Sequence, residues 1–412
     1  MFSRRARAYL AAMQHDISTE RGVHPGLVMF ALAMGGFAIG TAEFAVMSLV
    51  PYFSAGLGID APTAGHVISA YALGVVVGAP VIAVLGAKVS RRDLLIGLMA
   101  LYGIANGLSA LAPTYGWMML FRFLSGLPHG AYFGVSALVA ASLVPPGKRA
   151  QAVARVMSGL TVATIIGVPF ANWLGFAVGW RWGFGVVAIL ASLTALLVWR
   201  FAPRDRPTEG AGPLRELGAL RTRQVWLTLA IGAIGFGGMF AVYTYVASTM
   251  LEVTHVSATL VPVVLAIFGV GMTLGNLGAA WAADRALMPT AAGLLLWSAA
   301  ALVLFSLVAG NIWLLCVTVF LIGCGGGLGS VLQIRLMDVA GDAQTLAAAL
   351  HHSAFNVANA IGPWVGGMAI AAGYGWASTG WVGSLLALGG LVMLGVAVLD
   401  ERRTATQTLA TC

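Results

Sequence analysis

Charge is scarce in this chain. Only 9% of its 412 residues are Asp, Glu, Lys or Arg, and the acidic residues number 14 against 22 basic ones. A soluble domain carries about a quarter charged residues, so water is not the solvent for most of this surface. Cysteine is scarcer still: Cys316 and Cys324 share one apolar stretch and Cys412 is the last residue. That arrangement offers no extracellular pair to oxidise and no Cys/His metal site. Also missing are His-Glu-x-x-His, Gly-x-Ser-x-Gly and a Walker-type phosphate loop, the marks of a membrane hydrolase or an ATP-driven pump. The expectation is therefore no enzyme, no cofactor and no metal. A sensor would need an attached soluble domain, and the polar ends are short. The first 27 residues lack the n-h-c pattern of a cleaved signal, so the first apolar stretch is expected to direct insertion.

What is abundant is apolar. Hydrophobic residues make up 59% of the chain, mean hydropathy is +0.92, and there are 54 glycines. The apolar runs are about 20 residues long, enough to cross roughly 30 Å of hydrocarbon, whereas a barrel would show short alternating segments. Twelve runs are read, at 28–52, 64–87, 93–112, 118–142, 152–177, 182–202, 225–249, 258–282, 288–309, 312–334, 345–372 and 377–399. Small residues at this frequency suit helices whose backbones approach closely.

The net charge of +8 raises the question of a nucleic-acid partner, and its distribution answers it. If Arg4, Arg5, Arg7 and Arg21 lie in the cytoplasm, alternate connections carry Lys88, Arg91, Arg92, Lys148, Arg149, Arg204, Arg206, Arg215, Arg221, Arg223, Arg285 and Arg335 to the same side, with Arg402 and Arg403. Only Arg181 falls outside, and Arg122 remains within a span. This is the positive-inside pattern. The basic excess sets topology, with both termini cytoplasmic, and implies no nucleic acid.

The segment 203–224 is polar and rich in Arg, Pro and Gly, with six runs on either side. It divides the chain into an N-terminal segment 1–27, a six-helix bundle 28–202, a cytoplasmic linker 203–224, a second bundle 225–399 and a tail 400–412. The halves repeat. A shift of 197 carries Gly74, Gly78, Lys88, Gly126 and Gly130 onto Gly271, Gly275, Arg285, Gly323 and Gly327, and a shift of 195 carries Ser158, Ala163 and Gly167 onto Ser353, Ala358 and Gly362. Pro169 and Pro363 follow these, offset by one residue. The expected fold is all-α and integral to the membrane, twelve transmembrane helices in two six-helix bundles related by pseudo-two-fold symmetry. Two such bundles rock about a midplane cavity, which is transport by alternating access.

GFAIGTAEFAVMSLVP at 36–51, GHVISAYALGVVVGAP at 65–80 and RFLSGLPHGAYFGV at 122–135 resemble the major facilitator superfamily, and within it the arabinose-efflux-permease-like branch of drug:proton antiporters. The loop AVLGAKVSRRDLL at 83–95 occupies the place of the family's Gly-x-x-x-Asp-Arg-x-Gly-Arg-Arg signature. Arg91 and Arg92 match it and Lys88 substitutes, while Ala83, Ala87 and Ser90 depart from it. The second half keeps Ala-Asp-Arg at 283–285, and Asp284 with Arg285 is expected to pair at a cytoplasmic gate. These charges are equally readable as purely topogenic. Arg122 and Gly126 match the family's fourth-span motif, which the resemblance associates with proton transfer; snorkelling of Arg122 to the interface is the alternative. Gly159, Ala163, Gly167 and Pro169 resemble in part the antiporter signature of the fifth span, interrupted by Val168, and ordinary helix packing explains the same stripe.

Glu43 is the acidic residue set deep in a span, on one face with Gly36, Gly40 and Met47. Hydrocarbon favours the uncharged form of a lone carboxyl, and such a group exchanges a proton when its side of the cavity meets water. The reading is a proton site at Glu43 modulated by Arg122 and His129; a neutral Glu bonded between helices is the alternative. Candidate cavity residues are Tyr71, Tyr132, Tyr243, Tyr245, Gln333, Asn356 and Asn359, the last two one helical turn apart on one face. His351 and His352 are read as interfacial. The function expected is proton-coupled export of a small amphiphilic compound, drug or sugar by a monomer in the bacterial inner membrane; a sugar or metabolite symporter or uniporter is the alternative. Its partners are that cargo, protons and lipid.

Overall fold

In hydrocarbon a backbone N–H or C=O finds no water, so a spanning segment satisfies its own hydrogen bonds as a helix. The computed structural model follows that rule and describes residues 24–59, 61–204, 217–257, 260–341 and 343–411. Arg4, Arg5, Arg7, Arg21, Arg206, Arg215 and Cys412 lie outside the described residues, as do the side chains of Met47 and Ala83. The helices are α1 (Pro25–Leu57), α2 (Ala61–Gly86), α3 (Arg91–Ala110), α4 (Tyr115–Ser142), α5 (Arg149–Val162 and Val168–Ala177), α6 (Trp180–Phe201), α7 (Arg223–Gly235 and Gly237–Glu252), α8 (Val261–Ala283), α9 (Leu287–Val308), α10 (Ile312–Cys324 and Leu328–Val339), α11 (Gln344–Ala369) and α12 (Ser378–Thr411). Among the described residues ten are long and apolar enough to cross a membrane, and α2 adds the shorter apolar stretch His66–Ile82. Helix α11 falls outside that set because His351, His352, Asn356 and Asn359 interrupt it.

Several helices run past the apolar runs that foretell them. Helix α1 has 33 residues, about 50 Å at 1.5 Å per residue, because hydropathy marks only the hydrocarbon crossing. Likewise α12 continues through the expected tail to Thr411, and a short turn of helix, Leu217–Arg221, precedes α7 within the expected linker. Side chains set some of the starts: Ser90 accepts from Asp93 N at 3.1 Å and Asn311 accepts from Trp313 N and Leu314 N, filling amides that a first turn leaves open. Helix α5 is interrupted by a π turn, Ala163–Gly167, where Pro169 removes the N–H that would bond back into that turn.

The helix pairs recur. Helices α2·α4, α3·α6, α1·α5 and α1·α6 pack in the first half as α8·α10, α9·α12, α7·α11 and α7·α12 do in the second. The repeat reaches single atoms. A Cβ on Gly74 would run into the Phe123 carbonyl, and one on Gly271 into that of Phe320; for Gly78 and Gly275 the obstacles are the carbonyls of Leu127 and Cys324. Every one of these pairs is related by the shift of 197 read from the sequence.

Between the halves α11 packs on α2 and α4, and α5 packs on α8 and α10. We call the end of the bundle carrying Pro25, Arg91, Phe201, Arg223 and Asp284 the linker end, and the end carrying Leu57, Ala110 and Glu252 the far end.

Candidate functional site

The site begins with a cation where lipid would forbid one. Arg122 on α4 has no exposed surface; it does not snorkel. Its Nη1 donates to Asn106 Oδ1 on α3 at 3.3 Å, and its guanidinium lies 4.4 Å from the Tyr71 ring centroid and 5.5 Å from that of Phe184. A desolvated cation over aromatic faces gains about 2 kcal/mol, which offsets only part of the cost of burying charge. Nε and Nη2 find no partner. Glu43 on α1 is also buried, with Oε2 unpartnered, and its charge and that of Arg122 lie within interaction range. The two side chains thus lie within reach of each other's charge, and each keeps a buried polar atom without a partner.

A chain of polar groups leads away from it. Tyr71 Oη lies 3.2 Å from Tyr102 Oη and 2.8 Å from His129 Nδ1, and His129 Nε2 lies 3.3 Å from His352 Nδ1 on α11. This last contact joins the halves. Phe133 stacks on His352 with centroids 4.3 Å apart, and His351 meets Phe236 edge to face. Both histidines are buried, which corrects their placement at the interface: α4 and α11 press together here, with Gly130 and Gly134 admitting the backbone at Ala349.

A cavity of about 600 Å³ lies between the halves toward the far end. Its aromatic walls come from Phe44, Phe240 and Tyr243, and its polar ones from Ser69, Thr244, Asn356 and Asn359. Phe44 and Tyr243, from opposite halves, meet edge to face in its wall with centroids 6.1 Å apart. No charged residue lines it among the described residues. Of the seven candidate cavity residues, Tyr243, Asn356 and Asn359 stand in its wall. The other four are turned elsewhere by bonds they satisfy: Tyr71 in the chain above, Tyr132 donating to Leu32 O at 2.8 Å, Tyr245 to Pro363 O at 2.9 Å, and Gln333 Nε2 to Ala348 O at 3.0 Å.

At the linker end, polar bonds sew α5 to α8 and α10. Asp284 accepts from Ala150 N at 2.9 Å and Gln151 N at 3.2 Å, the open amides of the α5 N-terminus. Asn276 donates to Ala154 O at 2.8 Å and accepts from Ser330, Thr273 bonds Thr161 at 2.9 Å, and Arg149 pairs with Asp338 at 3.1 Å. The expected Asp284–Arg285 pair is corrected. Arg285 donates to Trp281 O and lies 3.6 Å over the Trp281 ring, because consecutive residues at a helix end point apart and the α5 amides offer Asp284 a better partner. In the first half Arg92 donates to Trp199 O on α6, within its own bundle, and Lys88 is exposed. Arg91 is half-buried at the start of α3. Gly159, Ala163 and Gly167 face α1, with Gly159 admitting the Ala33 carbonyl and Gly167 the Thr41 hydroxyl, and Ala163 meeting the Gly40 position; Pro169 is exposed.

Sequence reasoning missed Asn106, Tyr102, Asn276, Thr161, Thr273 and Asp338. Asn106 and Asn276 carried a usable signal, an amide inside an apolar run. The hydroxyls did not, because Thr and Ser bond their own helix in most spans.

Residues 32–290 and 229–411 match the family model of the Major Facilitator Superfamily. The chain is 37% identical over 383 residues to the inner membrane transport protein YdhP of Escherichia coli strain K12, covering 93% of this chain and 98% of that one. It is 34% identical over 394 residues to a chloramphenicol resistance protein of Streptomyces lividans, covering 93% and 98%. The fold matches the crystal structure of the human organic anion transporter MFSD10 (TETRAN) with a TM-score of 0.69 at 16% identity, covering 90% of this chain and 98% of that one. These likenesses and the paired bundles agree: this multi-pass membrane chain belongs to the major facilitator superfamily and is a secondary transporter, not an enzyme.

Proposed function

We propose that the protein exports a small amphiphilic compound in exchange for protons, with the linker end in the cytoplasm of a bacterial inner membrane and a monomer as the working unit. The observation that carries this is the adjacency of two unlike sites. Phe44 lines the cavity while its neighbour Glu43 is buried outside that lining, within reach of the Arg122 charge. A proton on Glu43 releases Arg122 from its countercharge, and loss of that proton restores the attraction; α1 moves between the two conditions, and with it the cavity wall. Cargo and proton therefore act on one helix, which is what exchange requires. The positive-inside charges support the orientation, and the resistance named for one relative supports export.

The wall favours uncharged cargo. Aromatic faces and two amides hold an amphiphile of drug size, whereas a lipophilic cation would call for a carboxylate in the wall. Asn356 and Asn359 also suit a polyol, so sugar symport is the second reading.

The test is cargo-driven pH change in proteoliposomes, screening phenicols, lipophilic cations and sugars, with Glu43→Gln as control. Proton movement that depends on cargo and is lost in the variant is the expected result. Cargo flux without proton movement would replace exchange by uniport, and wild-type coupling in Glu43→Gln would remove Glu43 from the mechanism.

A further inference from the structure

We propose that the His129–His352 contact is a proton-operated latch between the two halves, separate from the Glu43 site: it holds the linker end shut with at least one ring uncharged, and protonation of the pair releases it. Two imidazole nitrogens 3.3 Å apart bond only if one donates and the other accepts, so one of them lacks a proton. A proton on the accepting nitrogen leaves two donors facing each other and one ring charged, and a further proton sets two like charges face to face. His352 Nε2 has no partner and Phe133 covers the ring, so nothing in the closed arrangement neutralises that charge; water does once the halves part.

The surroundings define what else could answer to pH. On α4 the charged neighbour is Arg122; from α2 comes Tyr71, whose hydroxyl bonds His129, and from α3 Tyr102. Helix α1 brings Glu43, within interaction range of Tyr71 and Tyr102. On α11 itself is His351, 5.2 Å from His352 between ring centroids. Among the described residues helix α7 contributes the aromatic Phe236 and Phe240 to this cluster, and α10 brings the amide Gln333, bonded to Ala348 O, while its Arg335 is paired with Glu401 of α12 at 2.8 Å. No carboxylate bonds either imidazole among the described residues. The series Tyr102, Tyr71, His129, His352 is continuous in hydrogen-bond contacts from α3 through α2 and α4 to α11, so the latch belongs to a polar chain that crosses the seam.

The test measures opening directly. Spin labels at Val89→Cys and Ala286→Cys, both exposed on linker-end loops of opposite halves, are introduced with Cys316, Cys324 and Cys412 replaced by Ser. Distance distributions are recorded in nanodiscs from pH 8 to pH 5 without cargo. The wild-type background should shift toward longer distances as pH falls, the open-to-closed ratio rising by at most about tenfold per pH unit for each proton taken up. His352→Gln, which keeps polar groups at the contact but does not titrate, should give a profile flat with pH, whatever its level. Glu43→Gln should keep the wild-type midpoint, which separates the latch from the coupling proposed above. A wild-type profile without pH dependence would overturn the latch. So would His352→Gln with the wild-type midpoint, or a midpoint lost in Glu43→Gln and kept in His352→Gln.

Discussion

Removing the Asp284 carboxylate should open the linker end more than any other single change to its polar seam. Asp284 is half-buried and accepts two backbone N–H bonds at 2.9 and 3.2 Å from the first turn of α5. Hydrogen bonds to a charged group contribute about 1.5–3 kcal/mol each when well enclosed, and a carboxylate at a helix N-terminus about 0.3–1 kcal/mol more. Water reaches part of this site, so Asp284→Asn, which keeps one acceptor oxygen and loses the charge, should cost the closed arrangement about 1–2 kcal/mol. That is a rise of about 5- to 30-fold in the open-to-closed ratio. Asp338→Asn breaks a pair whose side chains are 31% and 41% exposed, worth about 0–1 kcal/mol, so less than about fivefold. The assay is maleimide labelling of Ser158→Cys on α5, in a background with the native cysteines replaced. Ser158 is half-buried in the seam, and its bond to Asn276 at 3.5 Å is the longest there, so the substitution disturbs little. The labelling rate follows the open population. Equal rates for Asp284→Asn and the parent would show that the Asp284 bonds are not what holds this end, and a larger effect for Asp338→Asn would show that the Arg149–Asp338 pair is the stronger tie.

Arg122→Ala removes the cation over Tyr71 and leaves Asn106 and Glu43 facing a void; proton-coupled transport in proteoliposomes should be lost, while Arg122→Lys, which keeps charge without the planar stack, should retain part of it. Tyr243→Ala takes one aromatic wall from the cavity and should weaken cargo binding by roughly 10-fold, about the 1.5 kcal/mol of a lost aromatic contact, with proton movement per cargo unchanged in the same vesicles. Gly74→Val and Gly271→Val each force side-chain atoms into a carbonyl of the neighbouring helix and should lower the detergent unfolding temperature by several degrees or abolish membrane yield. Gly97→Ala, with open space around it, is the control and should unfold with the parent.

Membrane helices were legible because a single cause, the length of an apolar run, decides them. The duplication was legible because glycine at a backbone crossing leaves a mark at a fixed spacing: Gly74 and Gly271 are needed for the same contact in each half. Glu43 and Arg122 stood out as charges where charge is expensive. Beyond that the sequence was silent for stated physical reasons. Which face of α2 Tyr71 uses depends on where His129 arrives from another helix. Asp284 has a neighbour of opposite charge in sequence and prefers amides 134 positions away, a choice made by the packing of α5 on α8. His351 and His352 read as interfacial because polarity alone does not distinguish a helix end in lipid from a helix pressed between two bundles.

The departures from the repeat are where function separates. Carried by the same shift of 197, Tyr71 falls on Phe268, Arg122 on Val319, His129 on Gly326 and Glu43 on Phe240. Phe268 and Val319 are buried like their counterparts, yet they line a small apolar pocket with Tyr243 and Ile322. Two bundles of one architecture therefore hold opposite chemistry at equivalent depth. Packing constraints are shared, since Gly74 and Gly271 cannot change in either half, whereas the polar positions are free to diverge once each half has a partner. In the first half they form a titratable chain. In the second they form aromatic wall, with Phe240 and Tyr243 in the cavity itself. In the proposed exchange, proton and cargo meet at α1, where Glu43 and Phe44 are neighbours, while the second half, which presents most of the cavity wall, follows α1 through the seam between the halves, and that is why Asp284, Asn276 and the His129–His352 contact matter although none of them lines the cavity.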